Sequence, residues 1–125
     1  MIKDRPDPQV DAWIRRTENE EMFLSVVTLA ELRVGAALLP DGAKKRKLDE
    51  WLGFDLVDMF YMRILPIGLD IADAYAILTT RARKSGFSPG ALDALIAATA
   101  FANGMKVATL NRKDFQRLGV GLVEF

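Results

Sequence analysis

Apolar residues recur along this chain with two different spacings, and the two spacings predict its secondary structure. An apolar residue every three or four positions, as at Val10, Trp13 and Ile14, predicts a helix, whereas a short β-branched run such as 22–27 predicts a buried strand. The predicted helices cover residues 9–18, 28–39, 43–62, 70–84 and 91–102, and the predicted strands cover 22–27, 64–67, 107–110 and 120–123. Pro66 restricts the second strand to an end or an edge of its sheet.

The alternation of apolar strands with helices is typical of an α/β fold with a parallel sheet. The chain has 125 residues, half of them hydrophobic, so residues 1–125 are expected to form a single domain with a real core. No apolar run approaches the roughly 18–20 residues of a membrane span, and no signal-peptide pattern opens the chain. We therefore expect a soluble, cytoplasmic protein with no membrane partner.

The composition restricts the chemistry that the chain can perform. It contains no Cys and no His, which excludes thiol nucleophiles, His-based triads and the usual zinc sites. A metal would have to be held by oxygen ligands, which favours Mg²⁺ or Mn²⁺. The 17 basic residues balance the 17 acidic ones, so RNA or DNA is not captured by bulk charge, although a local basic patch remains open.

Three acidic residues stand at unusual places in the pattern. Asp93 lies in an otherwise almost wholly apolar helix, where an ionised carboxylate costs several kcal/mol unless it is paired, hydrogen-bonded or metal-bound. Each acid also has a purely structural interpretation. Asp93 falls in a first helical turn, Glu31 completes a capping box with Thr28, and Asp114 lies three residues after a potential cap at Asn111.

The predicted topology brings the three acids together. Glu31 and Asp114 each follow a predicted parallel strand, and Asp93 opens the helix that leads back into strand 107–110. All three should lie at one rim of the sheet, where open α/β folds bind ligands. Because three carboxylates in one cleft repel each other unless a divalent cation neutralises them, the sequence predicts a metal site there.

The chain resembles the PIN-domain ribonucleases, in particular the VapC-type toxins of bacterial toxin–antitoxin pairs. Four segments carry the resemblance and follow the order of the family's motifs: 5–13, 25–35, 91–98 and 108–115. The resemblance implies a three-layer PIN-like α/β fold, with a parallel sheet flanked by helices. It also implies Mg²⁺- or Mn²⁺-dependent cleavage of RNA and a cognate antitoxin as partner. We further expect a homodimer.

By the same resemblance, specific residues receive roles. Those expected to be catalytic and to hold the metal are Glu31, Asp93 and Asp114, with Thr109 and Asn111 as supporting groups. The cations expected near the same rim, as candidates for contacts to RNA phosphates, are Arg33, Arg112 and Lys113. An apolar set is expected to serve either the core or a partner contact: Leu52, Leu56, Phe60 and Tyr61.

The beginning of the chain departs from the family pattern. Family members normally begin with a central strand that ends in an Asp, whereas here Asp4 lies in the approach to the first helix. We therefore expect the first strand and its carboxylate to be missing, through a shortened start, a degenerate sequence or a strand supplied by another chain, and the activity to be impaired. Two alternatives remain open: a non-catalytic α/β binding module whose acids only cap helices, and a degenerate toxin that only binds an antitoxin.

Overall fold

A computed structural model describes residues 8–125, without the side chain of Asp11. Its contacts divide the chain into two compact units, one ending at Leu65 and also including Phe125, the other spanning Pro66–Glu124. The elements of the first unit are α1 (Pro8–Arg16), a 3₁₀ turn (Asn19–Glu21), β1 (Leu24–Ser25), α2 (Val26–Ala37), α3 (Ala43–Glu50), a π-helical segment (Trp51–Asp55), α4 (Leu56–Met59) and β2 (Ile64–Leu65).

The strand predicted over 22–27 is much shorter in the structure. Leu24 and Ser25 pair in parallel with Ile64 and Leu65, as predicted, but the chain is already helical at Val26. The Ser25 hydroxyl accepts a hydrogen bond from the Val27 N–H at 3.1 Å and caps the helix. The predicted helix start at Thr28 is therefore wrong, because a serine three residues earlier satisfies the first turn.

The predicted helix 43–62 is one continuous helical run as far as Met59, with a π-helical insertion over Trp51–Asp55. The last three predicted residues leave the helix, and Met62 adopts a left-handed conformation with a φ of 65°. The guanidinium of Arg63 holds this corner, since it donates to the carbonyls of Asn19, Met22 and Met59. It therefore ties the 3₁₀ turn to α4 and to the start of β2.

The core of the first unit lies between α2 and the helical run that follows it. Four of its side chains are buried: Leu29, Ala36, Leu52 and Leu56. Phe60 packs against this cluster, whereas Tyr61 is 72% exposed. The sequence analysis left open whether the set Leu52, Leu56, Phe60 and Tyr61 serves the core or a partner contact. In the structure Leu52 and Leu56 belong to the core, whereas Tyr61 does not.

The second unit contains α5 (Leu69–Lys84), α6 (Ala91–Ala102) and α7 (Arg112–Leu118). The small residues Ala94, Ala97 and Ala98 are completely buried on α6, which allows close approach of α5, and α5 contributes the buried Ile71 and Leu78. Among residues 8–125, none of the helices combines the length and the apolar character needed to cross a bilayer.

The two strands predicted for the second unit reduce to one parallel bridge, between Val107 and Leu122. The Val107 N–H donates to the Gly121 carbonyl at 2.9 Å, and the Val123 N–H donates to the Val107 carbonyl at 3.0 Å. The parallel pairing was predicted correctly, but the full strands 107–110 and 120–123 were not. The bridge therefore pairs the segment that precedes α7 with the segment that follows it.

Candidate active site

Asp93 lies in the first turn of α6 and is partly buried there. Gly90, at the N-cap, provides no side-chain hydrogen bond, and the position of Asp93 in the first turn favours a negative charge through the helix dipole. Nevertheless, burial raises the pKa of Asp93 above its ordinary value of 3.8, and the neighbouring charge of Asp114 raises it further. Ionisation of Asp93 is therefore less favourable in the folded chain than in the unfolded chain.

Asp114 reaches the same place from the first turn of α7. Asn111 precedes this helix and connects the two acids, since its Nδ2 donates to Asp93 Oδ2 at 3.5 Å and to Asp114 Oδ2 at 3.3 Å. The backbone N–H of Asn111 donates to the hydroxyl of Thr109 at 3.0 Å. The structure thus assembles Asp93, Thr109, Asn111 and Asp114 into one cluster, in which Asn111 contacts both acids and Thr109 contacts the backbone of Asn111.

The charge of this cluster is uncompensated by any cationic side chain of residues 8–125. Neither Asp93 nor Asp114 forms an ion pair there, and the Asn111 amide provides only neutral donors. The two carboxylates and the amide provide oxygen ligands of the kind that Mg²⁺ and Mn²⁺ prefer, so the residues present fit such an ion. The described side chains contain no ready-made group of three or more His, Cys, Asp or Glu that could hold a metal.

Glu31 belongs to the first unit and lies exposed in the second turn of α2. Because the helix begins at Val26, Glu31 is its sixth residue rather than its third, and the predicted capping box with Thr28 does not form. The purely structural interpretation of Glu31 is therefore wrong. Arg33 lies exposed on the same helix.

The two cations beside Asp114 differ in their surroundings. Arg112 donates to the Val123 carbonyl at 2.8 Å and to Glu124 Oε1 at 3.2 Å, so its guanidinium fastens the C-terminal segment. Lys113 is exposed. The fastening role of Arg112 was missed by the sequence analysis, because its nearest partner is a backbone carbonyl that no residue type marks.

Comparisons with known proteins extend over nearly the whole chain. The model of the PIN domain family matches residues 1–121. The VapC ribonuclease Y4jK of Sinorhizobium fredii is 37% identical over 123 residues, which is 98% of this chain and 88% of that protein. Toxin FitB of Neisseria gonorrhoeae is 38% identical over 114 residues, covering 91% of this chain and 82% of the toxin.

A solved structure supports the same grouping. The crystal structure of FitAcB from Neisseria gonorrhoeae superposes with a TM-score of 0.91 at 36% identity, covering 98% of this chain and 88% of that one. At this level of identity the similarity concerns sequence and fold together. Segments that carry the acids in this chain lie inside the matched region.

Proposed function

The chain belongs to the PIN-domain family and has its α/β fold, as the sequence motifs predicted, and on that premise we propose that it is a metal-dependent endoribonuclease. It would cleave RNA phosphodiesters as the toxin of a type II, VapBC-like toxin–antitoxin pair. The printed names of its relatives, a VapC ribonuclease and a toxin, support this function. We also propose that residues 1–125 form one PIN domain, which the match over residues 1–121 supports.

The observation that carries the proposal is the pairing of Asp93 with Asp114 around Asn111. The charge of Asp114 raises the cost of ionising Asp93, so the close approach of the two carboxylates is better explained by ligand binding than by helix capping. A capping role would need neither carboxylate to approach the other.

A divalent ion fits the donor set, and when bound it would activate a water and stabilise negative charge on the leaving oxygen of the phosphodiester. Asp93 and Asp114 would hold the ion from one side through carboxylate oxygens. We propose Glu31 as the third acid, because its motif matches the family pattern and the structure leaves its carboxylate outside any cap. Mg²⁺ and Mn²⁺ are the expected ions, since the chain offers neither Cys nor His.

The RNA backbone requires cationic contacts. Lys113 and Arg33 are exposed and are proposed to contact phosphates. Arg112, the third candidate, already donates to the Val123 carbonyl and to Glu124, so fewer of its donors are available to a phosphate and its contribution should be smaller. The net charge of zero means that the affinity for RNA would depend on these local contacts.

We propose two protein partners, a cognate antitoxin and a second copy of the chain. The first unit exposes large apolar side chains that a partner would cover, including Leu38 (80%), Phe54 (70%) and Tyr61 (72%). A cytoplasmic location remains a prediction of the sequence. The alternative function, a degenerate toxin that binds an antitoxin without cleaving RNA, would use the same apolar residues.

The test of the proposed function is cleavage of end-labelled RNA with Mn²⁺ by the wild type, Asp93→Asn and Asp114→Asn. Cleavage that needs Mn²⁺ and is lost in both variants supports the proposal.

The same assay can refute the enzymatic proposal. Cleavage that persists in both variants would point to a contaminating nuclease. No cleavage at any metal concentration, together with co-purification of the protein encoded next to this chain, would favour the partner-binding alternative.

A further inference from the structure

The exposed side chain of Arg117, on α7, lies over the aromatic ring of Phe87. The distance from Arg117 Cζ to the centroid of that ring is 4.1 Å. The ring is itself held in place, since Phe87 packs against the core of the second unit and its backbone N–H donates to the Ala82 carbonyl at 2.9 Å. Aromatic faces attract guanidinium groups, so this contact restricts the orientation of Arg117 before any ligand arrives.

Arg117 lies about one helical turn after Asp114. Residues three apart are neighbours on a helix surface, and an Asp and an Arg at this spacing commonly form an ion pair. Within residues 8–125 no such pair forms, and the guanidinium lies over Phe87 instead. Lys113, an exposed cation four residues before Arg117, is its other neighbour on this helix. The exposed side of α7 thus carries two cations beside one acid of the candidate site.

The N–H groups of Arg117 have no acceptor in the part of the chain that the structure describes. A guanidinium carries five donors, and here none of them forms a hydrogen bond or an ion pair. The last turn of α7 favours a positive charge through the helix dipole, but a Lys would satisfy the dipole equally well. A planar fork of available donors, held by an aromatic ring, matches the paired oxygens of a phosphate group.

We propose that Arg117 binds a phosphate of the RNA substrate and that Phe87 is the positioning residue that orients its guanidinium for this contact. The inference rests on the proposed function, because it takes RNA as the ligand. Lys113 and Arg117 are separated by about 6 Å along the helix axis. An RNA strand that follows α7 would therefore contact the two cations one after the other.

The experiment measures the affinity of the full chain for a fluorescently labelled single-stranded RNA by anisotropy. EDTA prevents metal-dependent cleavage, and the salt concentration is varied. Arg117→Ala should bind the RNA about tenfold more weakly than the wild type. Loss of one phosphate contact should also reduce the steepness of log affinity against log salt by about 0.7. Arg117→Lys keeps the charge, so it should keep the slope and recover only part of the affinity.

The positioning role of Phe87 is tested by Phe87→Leu, which keeps an apolar side chain against the core and removes the aromatic face. Its affinity for RNA should fall about two- to fivefold, since the guanidinium loses its support. In the Arg117→Ala background, the same substitution should leave the RNA affinity unchanged, because no guanidinium remains to be oriented.

The matched control is Arg81→Ala. Arg81 lies in the same unit, and its guanidinium also lies over an aromatic ring, that of Phe101, at 5.9 Å from the centroid. Phe101 follows Asp93 on α6 by eight residues, or about 12 Å along the helix axis, so this second pair lies near the opposite end of that helix. Arg81→Ala removes the same charge and should keep the RNA affinity and the salt slope of the wild type.

The possible outcomes separate this inference from the proposed function. Wild-type affinity and slope in Arg117→Ala, together with Mn²⁺-dependent cleavage by the wild type, would overturn the inference alone. An equal loss in Arg81→Ala would also overturn it, because the effect would then come from net charge. A loss in Phe87→Leu that persists in the Arg117→Ala background would overturn the role of Phe87. A wild type that neither binds nor cleaves RNA would overturn the proposed function, and this inference with it. If Arg117→Ala does not fold, wild-type affinity in Arg117→Lys would overturn the phosphate contact.

Discussion

Replacing Asp93 with Asn should stabilise the metal-free protein at neutral pH, although it removes a proposed catalytic group. Burial and the charge of Asp114 raise the pKa of Asp93, so its ionised form weakens the fold. Asn has the same size, carries no charge and can still accept a hydrogen bond from Asn111. The substitution therefore removes the repulsion while leaving the packing around α6 unchanged.

The size of the effect follows from the geometry. Asp93 Oδ2 and Asp114 Oδ2 both lie within 3.5 Å of one nitrogen, so they are at most about 7 Å apart. Two unit charges at that distance repel by about 0.6 kcal/mol at the dielectric constant of water and about 2.4 kcal/mol at an effective value of 20. Losing an anion from a first helical turn costs about 0.3–1 kcal/mol. The net gain should be about 1 kcal/mol, or about 3–5 °C in melting temperature.

The gain should also depend on pH in a defined direction. An acid whose pKa is raised on folding contributes stability that is fully present below its ordinary pKa, here 3.8. This contribution is lost as the pH rises through the raised pKa of Asp93. The melting temperatures of wild type and Asp93→Asn should therefore coincide near pH 3.5 and separate towards pH 7.

The assay is thermal unfolding followed by circular dichroism in EDTA across this pH range. The control is Asp73→Asn, an exposed acid in the same unit for which the described residues supply no hydrogen bond or ion pair. Its melting temperature should stay close to that of the wild type. A lower melting temperature for Asp93→Asn at pH 7, or a gain independent of pH, would refute the repulsion between the two acids.

Five further substitutions, at four positions, test the packing of the two units in urea unfolding. The buried Thr79 hydroxyl has no hydrogen-bond partner within residues 8–125, so Thr79→Val should leave the free energy of unfolding unchanged or raise it by up to about 1 kcal/mol. Thr99→Val removes a 2.8 Å hydrogen bond to the Leu95 carbonyl and should lower it by about 1 kcal/mol. A larger loss from Thr79→Val than from Thr99→Val would contradict this difference in hydrogen bonding. Arg63→Ala removes hydrogen bonds to three carbonyls and should lower the free energy of unfolding by about 2 kcal/mol, of which Arg63→Lys should recover only part. An unchanged free energy in Arg63→Ala would show that these three bonds do not stabilise the unit. Met62→Gly should raise the free energy of unfolding by about 0.5 kcal/mol, because glycine adopts the left-handed conformation at this position without strain. A lower free energy of unfolding would show that Met62 is not strained.

The elements with strong end signals could be predicted from the sequence. Helix α6 was predicted with its exact bounds, Ala91–Ala102, because Gly90 precedes it and Asn103 and Gly104 follow it. The strand over 22–27 could not be bounded in the same way. Val26 and Val27 favour a strand by intrinsic preference, but the Ser25 cap and the burial of Val27 in α2 override that preference.

The same contrast applies to the site. The meeting of Asp93 with Asp114 followed from the placement of each acid relative to a strand or helix end, and such placement is readable from the pattern. The engagement of Arg112 with the Val123 carbonyl was not readable, since backbone partners leave no trace in residue type. For Glu31, the sequence offered two interpretations, and the helix start at Val26 removes the capping one.

The central proposal is that Glu31, Asp93 and Asp114 bind one divalent ion, and calorimetric titration of Glu31→Gln with MnCl₂ tests it most directly. The account predicts an affinity at least about tenfold weaker than that of the wild type, because one of three charged ligands is lost. Glu50→Gln, an exposed glutamate in the same unit, should bind Mn²⁺ normally. Wild-type affinity in Glu31→Gln, alongside lost binding in Asp93→Asn, would contradict the claim.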